Sequence, residues 1–497
     1  MAELEADHDH QHQTTKLKKH VAVLPSPGMG HIIPLFELAK RLVVFNHDIH
    51  VSFLVINTDG DNSAARDQYL YSTPLPPGLD AVDIPPVNVS DILRDDMLIV
   101  TRISVMVEES LKSLKSVLIE LGKPEALVID LFCTGAFEIC SELSIPVYSF
   151  STPSTAFLTL SLYLPTLDRE VEGEFVDIPE PISIPGCSPI RPDDLLDQVR
   201  DRKNEQYKWF FLHMSRLPLA SGILVNTWEE FEPVPLKAIR EHSFFLQLPT
   251  PPVYPVGPLI MQDESLSSSD EECLTWLDNQ PADSVLFIAL GRGGTLTTEQ
   301  LLEMAWGLEM SQQKFIWVLR KPDDADASST FFNVGSDVND PNSYLPEGFL
   351  EKTQGVGLVV KSWTTQVTIL RHPSTGDRSE PMKEHKWVFV SLWLELDDRE
   401  HNSIAWPLYA EQKMNAAMLT EEIEVAMKPV KGPGETVVRR EEISRVVRLL
   451  MESEEGEIIR SRVKKLRDSA SRAVDNGGSS YNSLSCLVEK WENEIKP

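Results

Sequence analysis

One histidine and one aspartate in the first third of the chain have the residue types and positions of a general base and its partner. His31 follows an apolar run at residues 21–24 and a turn rich in glycine and proline, where a segment with helical spacing begins. Asp130 directly follows a second apolar run, at residues 126–129. Because ligands bind at the carboxyl ends of strands in open α/β sheets, both side chains would emerge at that edge. A carboxylate behind an imidazole orients the ring and stabilises the imidazolium, so this pair would take a proton from a hydroxyl group.

Both residues also have structural explanations. A histidine after a glycine turn can cap the helix that it begins, and an aspartate at a strand end is commonly a turn former. NAD binding is disfavoured, because Gly28 and Gly30 form a G-x-G pair but Ile33 stands where a dinucleotide fingerprint has its third glycine. The pair alone therefore leaves a catalytic and a structural role open.

Short apolar strands alternate with helical segments along the chain, which predicts an α/β protein with two Rossmann-like domains facing across a cleft. The first domain would cover residues 20–247, after a disordered tail at residues 1–19, and the second would cover residues 273–476. Residues 248–272 are rich in proline and then in serine and acidic residues, which is typical of an interdomain linker. Residues 477–497 are predicted to form a C-terminal helix.

Helical periodicity also runs through residues 101–121 and 441–474, and residues 223–226 are typical of a late strand of the first domain.

Composition excludes several classes of partner and site. The formal net charge is −30, so the surface repels nucleic acid and anionic lipid, and a small-molecule partner is expected. The five cysteines are scattered and form no C-x-x-C pair, which indicates a reducing compartment without a disulfide framework or a zinc site. The acidic, His-rich N-terminal tail has no apolar core and no run reaches the ~18 residues that span a bilayer, so a cytoplasmic location is predicted. The oligomeric state is left open.

Five segments beyond the first domain form a shared pattern. They are residues 254–258, 273–280, 363–366, 369–376 and 407–412. The last three, with Asn415, resemble the two ends of the donor-binding box of plant family 1 UDP-glycosyltransferases, and the first two resemble the linker region of that family. The resemblance runs from His20 to Trp491 and is closest to the branch of hydroquinone and monolignol glucosyltransferases. It implies the GT-B fold and an inverting, metal-independent transfer of glucose from UDP-glucose to a phenolic hydroxyl, with no cofactor beyond this co-substrate.

The resemblance also implies residue roles. The histidine and aspartate described above would be the base and its partner. Trp363 would stack on the uracil, and Gln366 would bind the nucleoside through a hydrogen bond. Glu411 and Gln412 would bind sugar hydroxyl groups, since a carboxylate and an amide can serve adjacent hydroxyls. Outside this pattern, Trp363 has the residue type of a core position.

The sequence departs from the family between the two ends of the box. There the family has a segment of the form G-F-L-S-H-C-G-W-N-S-x-x-E, which binds the diphosphate and the ribose, whereas residues 377–403 carry none of these ligands in register. One choice of codons for residues 387–401, read one base later, encodes G-F-L-S-H-C-G-W-N-S-T-I-E-S. This indicates a frame-shifted or mis-spliced box, with residues 377–386 of intron origin and the frame restored near Ile404. Whether the gene or only its deduced transcript carries the shift is left open.

Two consequences are expected for the donor side. Four carboxylates at residues 395–400 would stand near the place of two phosphates and weaken donor binding and local packing. Arg292 is a second departure, where the family has a small hydroxyl residue; an arginine there would attract the diphosphate or fill its space. The alternative to an active transferase is thus a catalytically impaired or inactive member of the family that at most binds small phenolics.

Overall fold

A computed structural model of the chain contains two parallel β-sheets, each accompanied by helices. It describes residues 19–58, 64–71, 74–94, 96–259, 268–291, 293–325, 327–328, 331, 340, 343–361, 366–370, 372–375, 387–390 and 402–493. Arg292, Trp363 and most of residues 377–403 lie outside the described residues. The two sheets confirm the expected α/β fold class.

The first sheet has seven parallel strands in the order β3-β2-β1-β4-β5-β6-β7. The strands are β1 Lys19–Leu24, β2 Ile49–Val55, β3 Leu79–Asp83, β4 Ala126–Asp130, β5 Val147–Ser151, β6 Gly222–Val225 and β7 Val253–Pro255. β4 and β5 are buried throughout, and the first four residues of β4 form an unbroken apolar run rather than an alternating pattern.

Nine helices connect these strands among the described residues. They are α1 Met29–Phe45, α2 Ala64–Tyr71, α3 Ile99–Leu111, α4 Leu114–Glu120, α5 Ala136–Leu143, α6 Thr155–Glu170, α7 Glu205–Arg216, α8 Pro233–Glu241 and α9 Ser243–Gln247. The helical pattern at residues 101–121 is therefore two helices, because a turn at Lys112 and Ser113 separates α3 from α4.

The second sheet has six parallel strands in the order β10-β9-β8-β11-β12-β13. The strands are β8 Val285–Ala289, β9 Lys314–Leu319, β10 Gly357–Lys361, β11 Trp387–Val390, β12 Asn402–Ala405 and β13 Ala426–Met427. β11 lies inside the segment with the inferred frame shift, yet it pairs in register with β8 on one side and with β12 on the other. The sheet is thus continuous through the described part of that segment.

The helices of the second half begin at Ser268. They are α10 Ser268–Asp278, α11 Thr298–Ser311, α12 Phe349–Lys352, α13 Gln366–Leu370, α14 Gln412–Ala417, α15 Arg440–Glu452, α16 Glu454–Val474 and α17 Ser479–Asn493. The helical pattern at residues 441–474 is split at Ser453, whose extended backbone and side-chain cap to the N–H of Gly456 begin α16.

Part of the predicted linker is instead regular structure. β7, Val253–Pro255, pairs with β6 as the edge strand of the first sheet, and α10 begins at Ser268 within the same predicted linker. Proline is tolerated in an edge strand, because no further strand in the described part of the chain pairs with the outer side of β7 and the N–H that Pro255 lacks is not needed there. The remaining domain boundaries stay predictions.

The C-terminal helix returns to the first sheet. Leu484, Leu487 and Trp491 of α17 belong to the same buried apolar cluster as Val21 and Val23 of β1. The helix thus covers one face of the first sheet although it ends the chain. Among the described residues, no helix is long and apolar enough to cross a membrane.

Candidate active site

His31 and Asp130 meet at the carboxyl edge of the first sheet. β1 pairs directly with β4, with Leu24 opposite Ile129, so the residues that follow these strands emerge side by side. Gly28 has a φ of 110°, a conformation that favours glycine, and it turns the chain from β1 into the first turn of α1. His31 Nδ1 lies 2.8 Å from Asp130 Oδ2, and the two side chains are 2% and 0% exposed.

The second oxygen of Asp130 is also used. Asp130 Oδ1 accepts a hydrogen bond from the backbone N–H of Phe132 at 3.0 Å, which fixes the carboxylate plane. A carboxylate only accepts hydrogen bonds, so the proton of neutral His31 must lie on Nδ1, and Nε2 keeps its lone pair. The arrangement is that of an imidazole prepared to accept a proton through Nε2.

A narrow apolar cavity adjoins the His31 ring. Its volume is about 20 Å³, and its lining includes Phe132, Phe157, Phe331, Gln198 and Glu411. Phe331 comes from the second half of the chain, and its ring centroid lies 6.3 Å from that of His31. A Cβ atom on Gly28 would stand 2.3 Å from Cε1 of Phe331, so the phenyl ring is wedged against the turn that positions the histidine.

Glu411 lines this cavity from the second half of the chain, and Gln412 is the residue that follows it. The pKa of the Glu411 carboxyl is raised to about 7, first by burial and also by the charge of Asp197, although the nearby His31 opposes the shift. Glu411 Oε1 and Gln412 Nε2 are buried atoms with no hydrogen-bond partner among the described residues. Gln412 Oε1 accepts from the backbone N–H of Leu408 at 2.7 Å, which fixes that amide. The hydrogen-bonding capacity of these two atoms is therefore unused within the described part of the chain.

The other donor residues expected from the sequence are placed only in part. Gln366 is half-buried and begins α13, beyond the carboxyl end of β10. Trp363 lies outside the described residues, so its stacking role stays a prediction. No group of three or more histidine, cysteine, aspartate or glutamate side chains in the described ranges is arranged to hold a metal ion.

Sequence patterns do not reveal His213, a buried histidine behind the candidate pair. Its Nε2 lies 2.9 Å from Ser104 Oγ, and its Nδ1 lies 2.8 Å from Thr134 Oγ1 in the loop after Asp130. Burial lowers the pKa of His213 to about 3, so the ring stays neutral at physiological pH. Its position within α7 carries no sequence signal of this contact, because the partners are 109 and 79 residues away.

Comparisons with known proteins extend over nearly the whole chain. No family model matches it. A hydroquinone glucosyltransferase from Rauvolfia serpentina is 45% identical over 482 residues, which cover 96% of this chain and 98% of that protein. An anthocyanidin 3-O-glucosyltransferase from Manihot esculenta is 43% identical over 486 residues, 96% of each chain.

The chain belongs to the plant family 1 UDP-glycosyltransferases.

The family and the enzyme class expected from the sequence are thus confirmed. The structure of Phytolacca americana UGT2 complexed with UDP-2-fluoro-glucose and pterostilbene superimposes with a TM-score of 0.82 at 35% identity, covering 96% of this chain and 100% of that one. The two sheets therefore form the GT-B fold of UDP-glycosyltransferases. The disruption expected at residues 377–403 stays a prediction.

Proposed function

We propose that this UDP-glycosyltransferase transfers glucose from UDP-glucose to the hydroxyl group of a small phenolic acceptor. The observation that carries the proposal is the buried hydrogen bond between His31 and Asp130, with Glu411 across from it. Nε2 of His31 takes the phenolic proton while the oxygen attacks C1 of glucose. The bond from C1 to the diphosphate breaks, UDP leaves, and the sugar configuration inverts.

The cavity supports a small aromatic acceptor. Phe132, Phe157 and Phe331 surround the His31 side of the cavity, and aromatic rings pack favourably edge to face. The cavity is narrow, with a volume of about 20 Å³, so we expect small acceptors to be favoured over large ones. Hydroquinone fits this requirement, and the related enzyme from Rauvolfia serpentina is named for it.

On the donor side, the two orphaned atoms support sugar recognition. Glu411 Oε1 and Gln412 Nε2 offer an acceptor and a donor that hydroxyl groups of glucose would satisfy. Gln366 would bind the nucleoside and Trp363 would stack on the uracil. We propose no cofactor beyond UDP-glucose, because this co-substrate carries both the transferred glucose and its leaving group, UDP.

We further propose that residues 377–403 lower the affinity for UDP-glucose without removing the fold. Their sequence lacks the diphosphate ligands of the family and carries four carboxylates at residues 395–400. β11 and β12 still complete the second sheet, so a folded protein with a weakened donor site is expected rather than a collapsed domain.

We also propose a cytoplasmic location, because no disulfide bond joins any of the five cysteines, all of which lie within the described ranges.

The test is steady-state formation of hydroquinone glucoside by the chain as given and by a chain in which residues 377–403 are replaced with the restored-frame box. We expect turnover by both, with a KM for UDP-glucose at least ~100-fold lower in the restored chain, since several kcal/mol of repulsion are removed. Equal KM values for UDP-glucose in the two chains would refute the proposal that residues 377–403 weaken donor binding. No turnover by either chain would refute the proposed reaction.

A further inference from the structure

Asp197 of the first domain contacts both ends of the short segment that carries Glu411 and Gln412. Its backbone N–H donates to the carbonyl oxygen of Ala410 at 3.1 Å. Its Oδ1 atom lies 2.7 Å from Nζ of Lys413. One residue of the acceptor-side domain therefore holds the residues before and after the proposed sugar-binding pair.

The conformation of this segment requires such support. Ala410 has a φ of 57°, in the left-handed region that costs a residue with a Cβ atom about 1–2 kcal/mol. This turn directs Glu411 into the cleft at the start of α14. The hydrogen bond from Asp197 to the Ala410 carbonyl fixes the orientation of the peptide that joins Ala410 to Glu411.

Other residues of the loop that contains Asp197 contact different parts of the second domain. Arg191 is paired with Glu421, and Asp194 accepts from Lys428 at 3.0 Å. These pairs dock the domains beside the cleft, but they bind residues outside 410–413. Asp197 thus combines a docking contact with direct support of the proposed sugar site.

Asp197 also acts on Glu411 through space. After burial, the main cause, the negative charge of Asp197 contributes to the raised pKa of the Glu411 carboxyl. The ammonium group of Lys413 lies 2.7 Å from the Asp197 carboxylate and neutralises part of its charge. The ion pair therefore moderates the field at Glu411 as well as the geometry.

We propose that Asp197 is a positioning residue that holds Glu411 and Gln412 for the donor sugar, so that the sugar is recognised only when the two domains are docked. This inference rests on the function proposed above, in which Glu411 and Gln412 bind the sugar. It adds a first-domain residue to the recognition of a ligand held by the second domain.

Two variants remove the contacts step by step. Asp197→Asn removes the charge that pairs with Lys413 and keeps the backbone N–H. Asp197→Pro removes the N–H as well, and proline suits this site because Asp197 begins a 3-10 turn after Leu196, whose ψ is 147°. The neighbouring exposed Asp193→Asn is the matched control for loss of one carboxylate from the same loop.

Calorimetry compares the binding of UDP with that of UDP-glucose, each titrated into the full chain. We expect Asp197→Asn to weaken UDP-glucose binding about threefold and Asp197→Pro at least about tenfold, with UDP binding unchanged, because UDP lacks the glucosyl group that Glu411 and Gln412 would bind. Asp193→Asn should leave both affinities unchanged. A loss shared equally by UDP and UDP-glucose, or no loss in Asp197→Pro, would overturn the proposal.

Hydrogen exchange gives a readout that needs no ligand. The amides of residues 410–413 should exchange faster in Asp197→Pro than in the parent chain and in Asp193→Asn. Unchanged protection would overturn the positioning role even if the chain bound no UDP-glucose. Failure of the parent chain alone to bind UDP-glucose would instead count against the proposed function.

Discussion

Nδ1 of His31 lies 2.8 Å from Oδ2 of Asp130, although 99 residues separate them in sequence. The contact follows from topology, since β1 and β4 are hydrogen-bonded neighbours, Asp130 ends β4, and the turn after β1 places His31 in the first turn of α1. Burial of both side chains strengthens the electrostatic interaction, because little water screens it. A change to either residue should therefore directly alter the rate of the proposed proton transfer.

Replacing Asp130 with asparagine should lower kcat by about 100-fold or more with little change in the acceptor KM. The amide can donate to Nδ1, which would move the imidazole proton to Nε2 and remove the lone pair that accepts the phenolic proton. Steady-state kinetics on hydroquinone give the split, and thermal unfolding checks that the variant is folded. A folded Asp130→Asn variant with the parent kcat would contradict the assigned role.

Glu411 should make the free energy of unfolding fall as the pH rises, whereas a carboxylate in an ion pair makes it rise. Its folded-state pKa of about 7 is above the ordinary value of 4.5, so its stabilising contribution is complete below pH 4.5 and is lost as the pH rises through about 7. The difference in unfolding free energy between the parent and Glu411→Gln should therefore change by up to about 3 kcal/mol across this window.

The matched control for this pH dependence is Glu303→Gln. Arg440 lowers the pKa of the Glu303 carboxyl by hydrogen bonding, so the stability from Glu303 is lost as the pH falls through its lowered pKa. Urea unfolding at several pH values measures both differences. The same pH dependence in both variants would show that Glu411 is not desolvated in the folded protein.

Replacing Phe331 with alanine should widen the range of acceptors. The phenyl ring fills space beside His31 and Gly28, and its removal enlarges a cavity of about 20 Å³. The acceptor KM for pterostilbene should fall relative to that for hydroquinone, while the KM for UDP-glucose stays the same. Phe331→Leu serves as the control that keeps most of the volume, and an unchanged ratio of the two acceptor KM values in the alanine variant would count against this assignment.

Loss of His213 should weaken both the fold and the site. His213→Ala removes the hydrogen bond to Thr134 and one of the two hydrogen bonds of Ser104, which still donates to the Val100 carbonyl; the cost is about 1–3 kcal/mol for a buried group. Because Thr134 belongs to the loop that follows Asp130, kcat should fall as well. The exposed His47→Ala is the control for loss of a histidine. Chemical denaturation measures the stability of each variant, and steady-state kinetics measure its kcat. A His213→Ala variant that loses stability but keeps the parent kcat would contradict the predicted effect on the site.

The first half of the site could be predicted from the sequence because its signals are local. Short apolar runs mark β1 and β4, and the glycine turn marks the start of α1, so these patterns alone bring His31 and Asp130 to one edge of the sheet. Glu411 and Gln412 were expected only through family resemblance. Their unsatisfied buried atoms depend on packing between domains, which no local pattern encodes.

Other features depended on contacts distant in sequence. β7 is a strand because β6 offers it an edge, although its prolines are typical of a linker. Phe331 approaches Gly28 across the two halves of the chain, and Asp197 meets Ala410 in the same way. Such contacts arise from docking of the domains, so composition and periodicity do not indicate them.

The most direct measurement is the rate of UDP-glucose-dependent glucosylation of hydroquinone by the chain and by its His31→Ala variant, at a UDP-glucose concentration high enough to compensate for weak donor binding. We predict turnover by the parent chain and a loss of about 10²- to 10⁴-fold in the variant, since general base catalysis contributes on this scale. A folded His31→Ala variant that glucosylates hydroquinone at the parent rate would contradict the role of His31 as the base.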